Sequence, residues 1–104
     1  MGIIAIACYR AHPGNDRKLL SAVRKNTPLF YSLGLITKCP PILMNSEVGT
    51  IPEIFEWKSS AAKVKAHKTP EVMTLWNLMT ELGENMKLSS IPETKEVFVN
   101  FKAI

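Results

Sequence analysis

The sequence predicts a single α+β domain in which an antiparallel sheet carries its helices on one face, with the element order βαββααβ. Three observations predict it. Short β-branched segments alternate with segments of helical periodicity along the 104 residues. A tight connection at residues 46–49 joins two strands as a hairpin. No internal repeat and no low-complexity linker divides the chain, so we expect one domain over residues 1–104.

The first strand and the first helix follow directly from composition and spacing. Residues 3–10, IIAIACYR, are β-branched and almost wholly apolar, which predicts a strand buried on both faces. A turn occupies residues 12–15, and a helix begins near Asp16. Its inward stripe consists of Leu19, Leu20, Val23, Thr27 and Phe30. Pro28 should kink or restart this helix, and Gly34 should end it as a left-handed cap.

The central hairpin is predicted from two strand-like segments. Residues 35–45 form the second strand, which Pro40 and Pro41 interrupt because proline cannot donate to a ladder. Residues 50–58 form the third strand. Strand alternation predicts that one face of this strand carries Ile51, Glu53, Phe55 and Trp57. The other face carries Ile54 and Glu56.

Two helices are predicted after the hairpin. Ser59 or Ser60 caps a short helix that runs to residue 68. A second helix starts at Thr69-Pro70-Glu71, which combines a capping hydroxyl, a proline at the first helical position and an acid in the first turn. The inward stripe of this helix is Val72, Leu75, Trp76, Met79, Leu82, Gly83 and Met86.

A loop at residues 88–93 leads to the last predicted strand, residues 95–102. This order predicts a ferredoxin-like antiparallel sheet, in which the two consecutive helices act as one crossover. The strands carry apolar residues at both parities, as in Ile3, Ala5 and Ala7 against Ile4, Ile6 and Cys8. Helices on one face cannot bury both sets. We therefore expect a homodimer in which two sheets pack face to face.

Composition excludes several classes of protein. The net charge of +4 is modest and its lysines are spread along the chain, so we expect no nucleic-acid partner. Cys8 and Cys39 lack metal-ligand spacing, so we expect no metal. No phosphate loop occurs, and the enzyme function considered below is cofactor-independent, so we expect no cofactor. The apolar start is too short for a bilayer span or a signal core, so we expect no membrane partner and a reduced, cytoplasmic protein.

With this architecture in hand, the residues resemble the dimeric α/β-barrel superfamily that includes the antibiotic-biosynthesis monooxygenase-like domains. The shared motifs are Pro13-Gly14, Glu56-Trp57, Ser59 with Ala62, and Ala66-His67. A group of small, stand-alone, uncharacterised bacterial members is most similar. There the shared motifs add Gly34-Leu35-Ile36-Thr37, Gly49-Thr50, Glu53-Ile54-Phe55 and Pro70 with Leu75-Trp76. The resemblance implies a dimeric barrel of two such sheets.

The haem-degrading branch of this superfamily is excluded by its own motif. That branch has an Asn on the first strand, where this chain has Tyr9 and Arg10. His67 stands where the branch has its Trp, and Asn77 lies where it has a His ligand. The triad is therefore absent.

His67 is the candidate catalytic base. Helical spacing places it on one face with Ser60 and Val64, which we expect to point at the sheet. A neutral imidazole in a pocket removes a proton from a phenol or an enolisable ketone. The alternative is a core histidine bonded to a backbone carbonyl or to Glu53 or Glu56.

Other residues are candidates for ligand contact. Trp57 and Trp76 could wall a flat substrate, although the position of Trp76 in the helical stripe favours a core role. The remaining candidates are polar residues on or at the ends of strands, namely Glu56, Asn100 and Tyr9.

Two functions remain open. One is a cofactor-independent monooxygenase acting on a small aromatic or enolisable substrate, and the other is a non-catalytic dimeric binding module for a small hydrophobic ligand. An RNA-binding βαββαβ domain is a rival by topology, but the third strand, IPEIFEW, lacks the required aromatic run.

Overall fold

Residues 2–104 are described by the structure, which is a computed structural model. Its strands are β1 (Ile3–Ala11), β2 (Ile42–Asn45), β3 (Ile51–Trp57), β4 (Gly83–Asn85) and β5 (Lys102–Ala103). Its helices are α1 (Asp16–Val23), α2 (Asn26–Ser32), α3 (Ser60–Ala66) and α4 (Pro70–Leu82). Two 3₁₀ turns, Leu88–Ser90 and Pro92–Lys95, lie between β4 and β5. The α+β class is confirmed.

The strands form one sheet in the order β4–β1–β3–β2–β5, and each neighbouring pair is antiparallel. β1 and β3 pair along their length, from Ile3 opposite Trp57 to Tyr9 opposite Ile51. Because side chains alternate along a strand, this register fixes which residues share each face. We call the face with Tyr9, Phe55 and Trp57 the inner face and the opposite face the outer face.

All four helices pack on the inner face. One core cluster joins Phe30 of α2, Ala66 of α3 and Val72 of α4 to Phe55 and Trp57 of β3. A second cluster joins α1 and α4 to the other end of β1 and β3, through Leu19, Val23, Met79, Tyr9 and Ile51. The predicted alternation of β3 and the placement of the helices on one side are confirmed.

Local signals set the helix ends. Gly34 has φ of 70°, and the amides of Gly34 and Leu35 donate to the carbonyls of Tyr31 and Phe30, which is the left-handed cap that the sequence predicts. The Ser59 hydroxyl accepts from the Ala62 amide at 3.1 Å, as a capping serine does. Thr69 makes no such cap, because its hydroxyl donates to the Lys65 carbonyl at 2.8 Å.

The predicted second strand is shortened by its prolines. Residues 35–37 make an isolated bridge to β3 at Ile36 and Trp57, and β2 begins only at Ile42. Pro40 and Pro41 separate these two pieces because neither can donate to the ladder.

The helical stripe of α4 does not continue to Met86 as predicted. α4 ends at Leu82, and Gly83 begins the short strand β4 beside β1. A Cβ at position 83 would collide with the Arg10 carbonyl, so glycine permits the close approach of the two backbones. Periodicity alone does not reveal this strand, because Gly83 and Met86 also fit a helix.

The predicted strand over residues 95–102 is wrong in extent. Only Lys102–Ala103 form β5, which pairs with Met44 and Asn45 of β2. Just before this segment, Glu93 accepts bonds from the Ser46 hydroxyl and the Glu47 amide, at 2.8 and 2.9 Å. These bonds anchor the chain beside the β2–β3 turn, so it reaches the sheet on the β2 side.

The outer face is covered at one end only. Cys8 is buried there, as is Ile91 of the segment that follows β4. At the other end Ile4 and Ile6 are 57% and 49% exposed. The expected burial of β1 on both faces therefore fails within one chain over this stretch, because every helix lies on the inner face.

Candidate functional site

A pocket of about 700 Å³ lies between β1 and α4 and extends to β4. Ala5 and Ala7 line its sheet side, and Met73, Trp76 and Met79 line its helix side. The two alanines leave space that larger inward side chains would fill. The lining also includes Ile6, which lies between these two alanines on β1. The pocket thus borders the edge of β1 that faces away from β3.

Aromatic rings form much of the wall. Tyr9, Phe55, Trp57 and Trp76 all contribute to the lining. The Trp57 ring lies 4.8 Å from that of Phe30 and 4.9 Å from that of Phe55, measured between centroids. Trp57 and Trp76 thus belong to the core and also border the pocket, so the two roles proposed for them coincide. A pocket of this size and composition suits a drug-sized, largely apolar ligand.

His67 lies at the rim of the pocket. It follows the last residue of α3 and is exposed, and its ring stacks edge-on to Trp76 with centroids 4.9 Å apart. The expected inward face of α3 is wrong, because Ser60 and Val64 are exposed. The buried residue of α3 is Ala66, and Ala62 packs against the same core cluster, so these two alanines face the sheet.

The hydrogen bond of His67 defines its tautomer. Its Nδ1 lies 2.9 Å from the Lys63 carbonyl oxygen. A carbonyl only accepts, so Nδ1 carries the proton and Nε2 of the neutral ring has a free lone pair. His67 is thus both a histidine bonded to a backbone carbonyl and a base with an available nitrogen.

A buried polar network lies beneath the pocket. Glu53 is 2% exposed, and its Oε1 accepts from the Tyr9 hydroxyl and from Asn26 Nδ2, each at 3.0 Å. Asn26 Oδ1 in turn accepts from Trp76 Nε1 at 3.0 Å. We call Tyr9, Asn26, Glu53 and Trp76 the buried network. It connects β1, α2, β3 and α4, and three of its members line the pocket.

Burial controls the titration of this network. Burial raises the pKa of Glu53, and the bonds from Asn26 and Tyr9 partly oppose that rise. Burial also raises the pKa of Tyr9, and the negative charge of Glu53 raises it further. Among residues 2–104, no lysine or arginine is buried beside Glu53 to compensate its charge. The site therefore disfavours the charged form of Glu53 relative to the same side chain in water, which is the reason that its pKa is raised.

Sequence reasoning missed Asn26. It placed Thr27 in the helical stripe, yet Asn26 is fully buried and Thr27 is half-buried. The signal was available, because Asn26 is in helical phase with Leu19, Val23 and Phe30. A polar residue in phase with an apolar stripe indicates a buried hydrogen-bond partner.

Two of the candidate site residues lie outside the pocket. Glu56 is on the outer face, where it accepts from the Thr37 hydroxyl at 2.7 Å. Asn100 is exposed and its Nδ2 donates to the Phe98 carbonyl at 3.2 Å. The site of one chain thus brings together Tyr9, Trp57, Trp76 and His67.

Within residues 2–104, no group of three or more metal-ligating side chains is close enough to hold an ion. No helix in the same range is long and apolar enough to cross a bilayer. In comparisons with known proteins, no family model, no curated protein and no solved structure matches this chain.

Proposed function

We propose that the protein is a small homodimeric monooxygenase of the cofactor-independent type, acting on a small aromatic or enolisable substrate. The observation that carries the proposal is His67. Its Nε2 is free at the rim of a pocket with aromatic walls, while Nδ1 is fixed on the Lys63 carbonyl. General base catalysis needs this combination of a neutral imidazole and a positioned substrate.

The proposed reaction uses dioxygen as the oxidant. Nε2 takes the hydroxyl proton of a phenol, and the phenolate gives one electron to dioxygen. The resulting radicals combine at a ring carbon to form a peroxide. Cleavage of its O–O bond with loss of the ring hydrogen gives a quinone and one water, so phenol and dioxygen become quinone and water. The protein would supply the base, the aromatic walls and exclusion of bulk water.

The fold supports the family that the resemblance implies. The antiparallel order β4–β1–β3–β2 supports the ferredoxin-like arrangement that the proposal assumes, with the short strand Gly83–Asn85 in the position of the predicted last strand. The uncovered half of the outer face carries Ile4, Ile6 and Ile42, all large and apolar. A second copy packed on this half would form the two-sheet barrel and would bury these isoleucines.

A non-catalytic binding module is the second candidate, and the buried network favours it. Glu53 is committed to Tyr9 and Asn26, and Asn26 to Trp76. A network whose members bind one another stabilises and shapes a pocket without chemistry. In that case the same pocket holds a small hydrophobic ligand, and His67 contributes only a contact.

The two candidates are separated by measuring binding and oxygen consumption on the same samples. The binding probe is 2-naphthol, followed through quenching of the pocket tryptophans, and oxygen uptake is followed with an electrode. His67→Gln removes the base, and His12→Gln makes the same change in an exposed turn outside the pocket.

The enzyme proposal expects wild type and His12→Gln to bind 2-naphthol and consume oxygen, while His67→Gln binds but loses about 10²–10⁴-fold in rate. If the wild type binds 2-naphthol and a 1,3-diketone but consumes oxygen with neither, the enzyme proposal is contradicted. The binding module is then the candidate that remains. Absence of binding for both probes contradicts both candidates.

A further inference from the structure

The edge of β1 that faces away from β3 is only partly paired. β4 pairs with β1 at residues 9–11, and the Met86 amide adds a bond to the Cys8 carbonyl. Backbone groups on a strand point to alternate edges, so Cys8 shares this edge with Ile4 and Ile6. Within residues 2–104, no strand pairs with β1 there. We call the N–H and C=O groups of Ile4 and Ile6 the open edge.

The pocket borders this open edge. Its lining includes the consecutive β1 residues from Ala5 to Tyr9 and, beside them, Met73 and Trp76 of α4. Within residues 2–104, no strand lies beside Ile4 and Ile6 to bound the pocket on this side.

The same chain has a strand-like segment without a partner strand. Residues 97–101, VFVNF, have the composition and alternation of a strand, and we call them the C-terminal arm. Val97 and Phe98 are 92% and 83% exposed. Within residues 2–104 the arm pairs with no strand. Such a segment is suited to strand addition at an unpaired sheet edge.

The arm of one chain leads into the wrong edge of its own sheet. It runs directly into β5, which is held on β2, and β3 and β2 separate β5 from β1. A second copy is the source that the sequence itself provides. It also matches the proposed face-to-face homodimer, on which this inference rests.

We propose that the C-terminal arm of a second copy pairs with the open edge of β1 and closes the pocket. The arm has a wholly apolar row, Val97, Val99 and Phe101, and a mixed row, Phe98 and Asn100. The apolar row continues the outer face of Ile4 and Ile6. The mixed row faces the pocket, whose polar lining includes His67 and Asn77. Asn100 thus enters the site from the second copy.

Hydrogen exchange at the amides of Ile4 and Ile6 tests the pairing. In the wild-type dimer we expect these amides to exchange at least about 100-fold more slowly than free amides. The double variant Phe98→Pro with Val99→Pro removes two successive backbone N–H donors of the arm. Successive N–H groups of a strand point to opposite edges, so one of the two removed donors must face β1 in any register. Its Ile4 and Ile6 amides should exchange at nearly the free rate. The control, Phe98→Ala with Val99→Ala, keeps both donors and should retain the protection.

Mixed dimers show which copy provides the arm. When ¹⁵N-labelled diproline chains are mixed with unlabelled wild type, the labelled Ile4 and Ile6 amides should regain protection. No recovery would show that the arm acts within its own chain and would overturn the proposal. In a mixed wild-type sample, the Phe98 ring of one copy should show NOEs to the methyls of Ala5 and Ala7 of the other. NOEs to Ile4 and Ile6 instead would overturn the assigned face.

Failure of this inference is distinct from failure of the proposed homodimer. A dimer by light scattering whose Ile4 and Ile6 amides are unprotected contradicts the arm pairing and leaves the dimer. Protection that survives the two prolines contradicts it equally, because another segment then covers the edge. A monomer at all concentrations contradicts both.

Discussion

The inner and outer faces of the sheet differ in how much of their cover one chain provides. On the inner face, four helices cover the apolar residues Phe30, Phe55 and Trp57. The acidic residue Glu53 is buried with them. On the outer face, Ile91 and its neighbours cover only the end near Cys8, and Ile4 and Ile6 remain exposed. An apolar surface left open on a folded chain indicates a partner. The stability of one chain therefore rests on the inner face, and the outer face is where the proposed homodimer would form.

Phe30→Ala should have the largest effect on stability. The Phe30 side chain is fully buried among Phe55, Trp57 and Trp76, so truncation leaves a cavity in the middle of the inner core. We expect a loss of about 3–5 kcal/mol in the free energy of unfolding, measured by urea denaturation. Tyr31→Ala changes the neighbouring exposed ring and should cost much less. Similar losses for both would show that α2 is not packed as described.

Asn26→Leu should have the next largest effect. It removes the donor to Glu53 and the acceptor of Trp76 Nε1, and so leaves buried polar atoms without partners. We expect a loss of about 1–3 kcal/mol in the free energy of unfolding. Asn77→Leu makes the same change at an exposed position of α4 and serves as the control. An Asn26→Leu protein as stable as its control would contradict the buried network.

The inner face should also make stability depend on pH through Glu53. Its pKa in the folded state is raised by burial above the unfolded value of about 4.3, so the folded state retains the proton longer. Folding then binds a proton between these two values, and stability falls as pH rises through that window.

The measurement is the free energy of unfolding against pH for wild type and Glu53→Gln. We expect the wild type to lose stability relative to Glu53→Gln as pH rises from about 4.3, with a slope below about 1.4 kcal/mol per pH unit. Glu56→Gln makes the same change in the same strand on the outer face, away from the buried network, and serves as the control. A wild type that gains stability with pH relative to Glu53→Gln would contradict the assigned direction.

The smallest effect on chain stability is expected on the outer face. Ile6→Lys alters a half-exposed residue, so the free energy of unfolding of the single chain should change by less than about 0.5 kcal/mol. Its effect on assembly should be large, because a buried unpaired lysine opposes the proposed homodimer. Val48→Lys, at an exposed apolar residue in the β2–β3 turn, is the control and should remain dimeric by light scattering. Equal dimerisation of both variants would exclude Ile6 from the interface.

The same contrast explains how much the sequence could predict. β1, β3 and the starts of α1 and α4 follow from local signals, such as the alternation of β3 and Pro70 at the first helical position. The strand at Gly83–Asn85 and the path of residues 88–101 depend on distant contacts. Among these are the bonds of Glu93 to the β2–β3 turn, which no local pattern encodes.

The site was predictable to a smaller extent. Tyr9, Trp57, Trp76 and His67 border one pocket, but the inward helical face expected for His67 is wrong, and a role in ligand binding stays a prediction for all four. Glu56 was preferred over Glu53, although alternation already placed Glu53 with Trp57. Asn26 was missed because the neighbouring Thr27 was taken as the inward residue of that helical turn. The role proposed for Asn100 depends on the proposed homodimer, and strand alternation within one chain does not show which copy would provide this side chain.

The central claim, that one chain completes the inner face and a second copy completes the outer one, is tested most directly by sedimentation equilibrium at micromolar concentration. We predict a mass twice that of the 11.6 kDa chain, reduced to a single chain in Ile6→Lys. A wild-type mass of 11.6 kDa across the concentration range would contradict the claim.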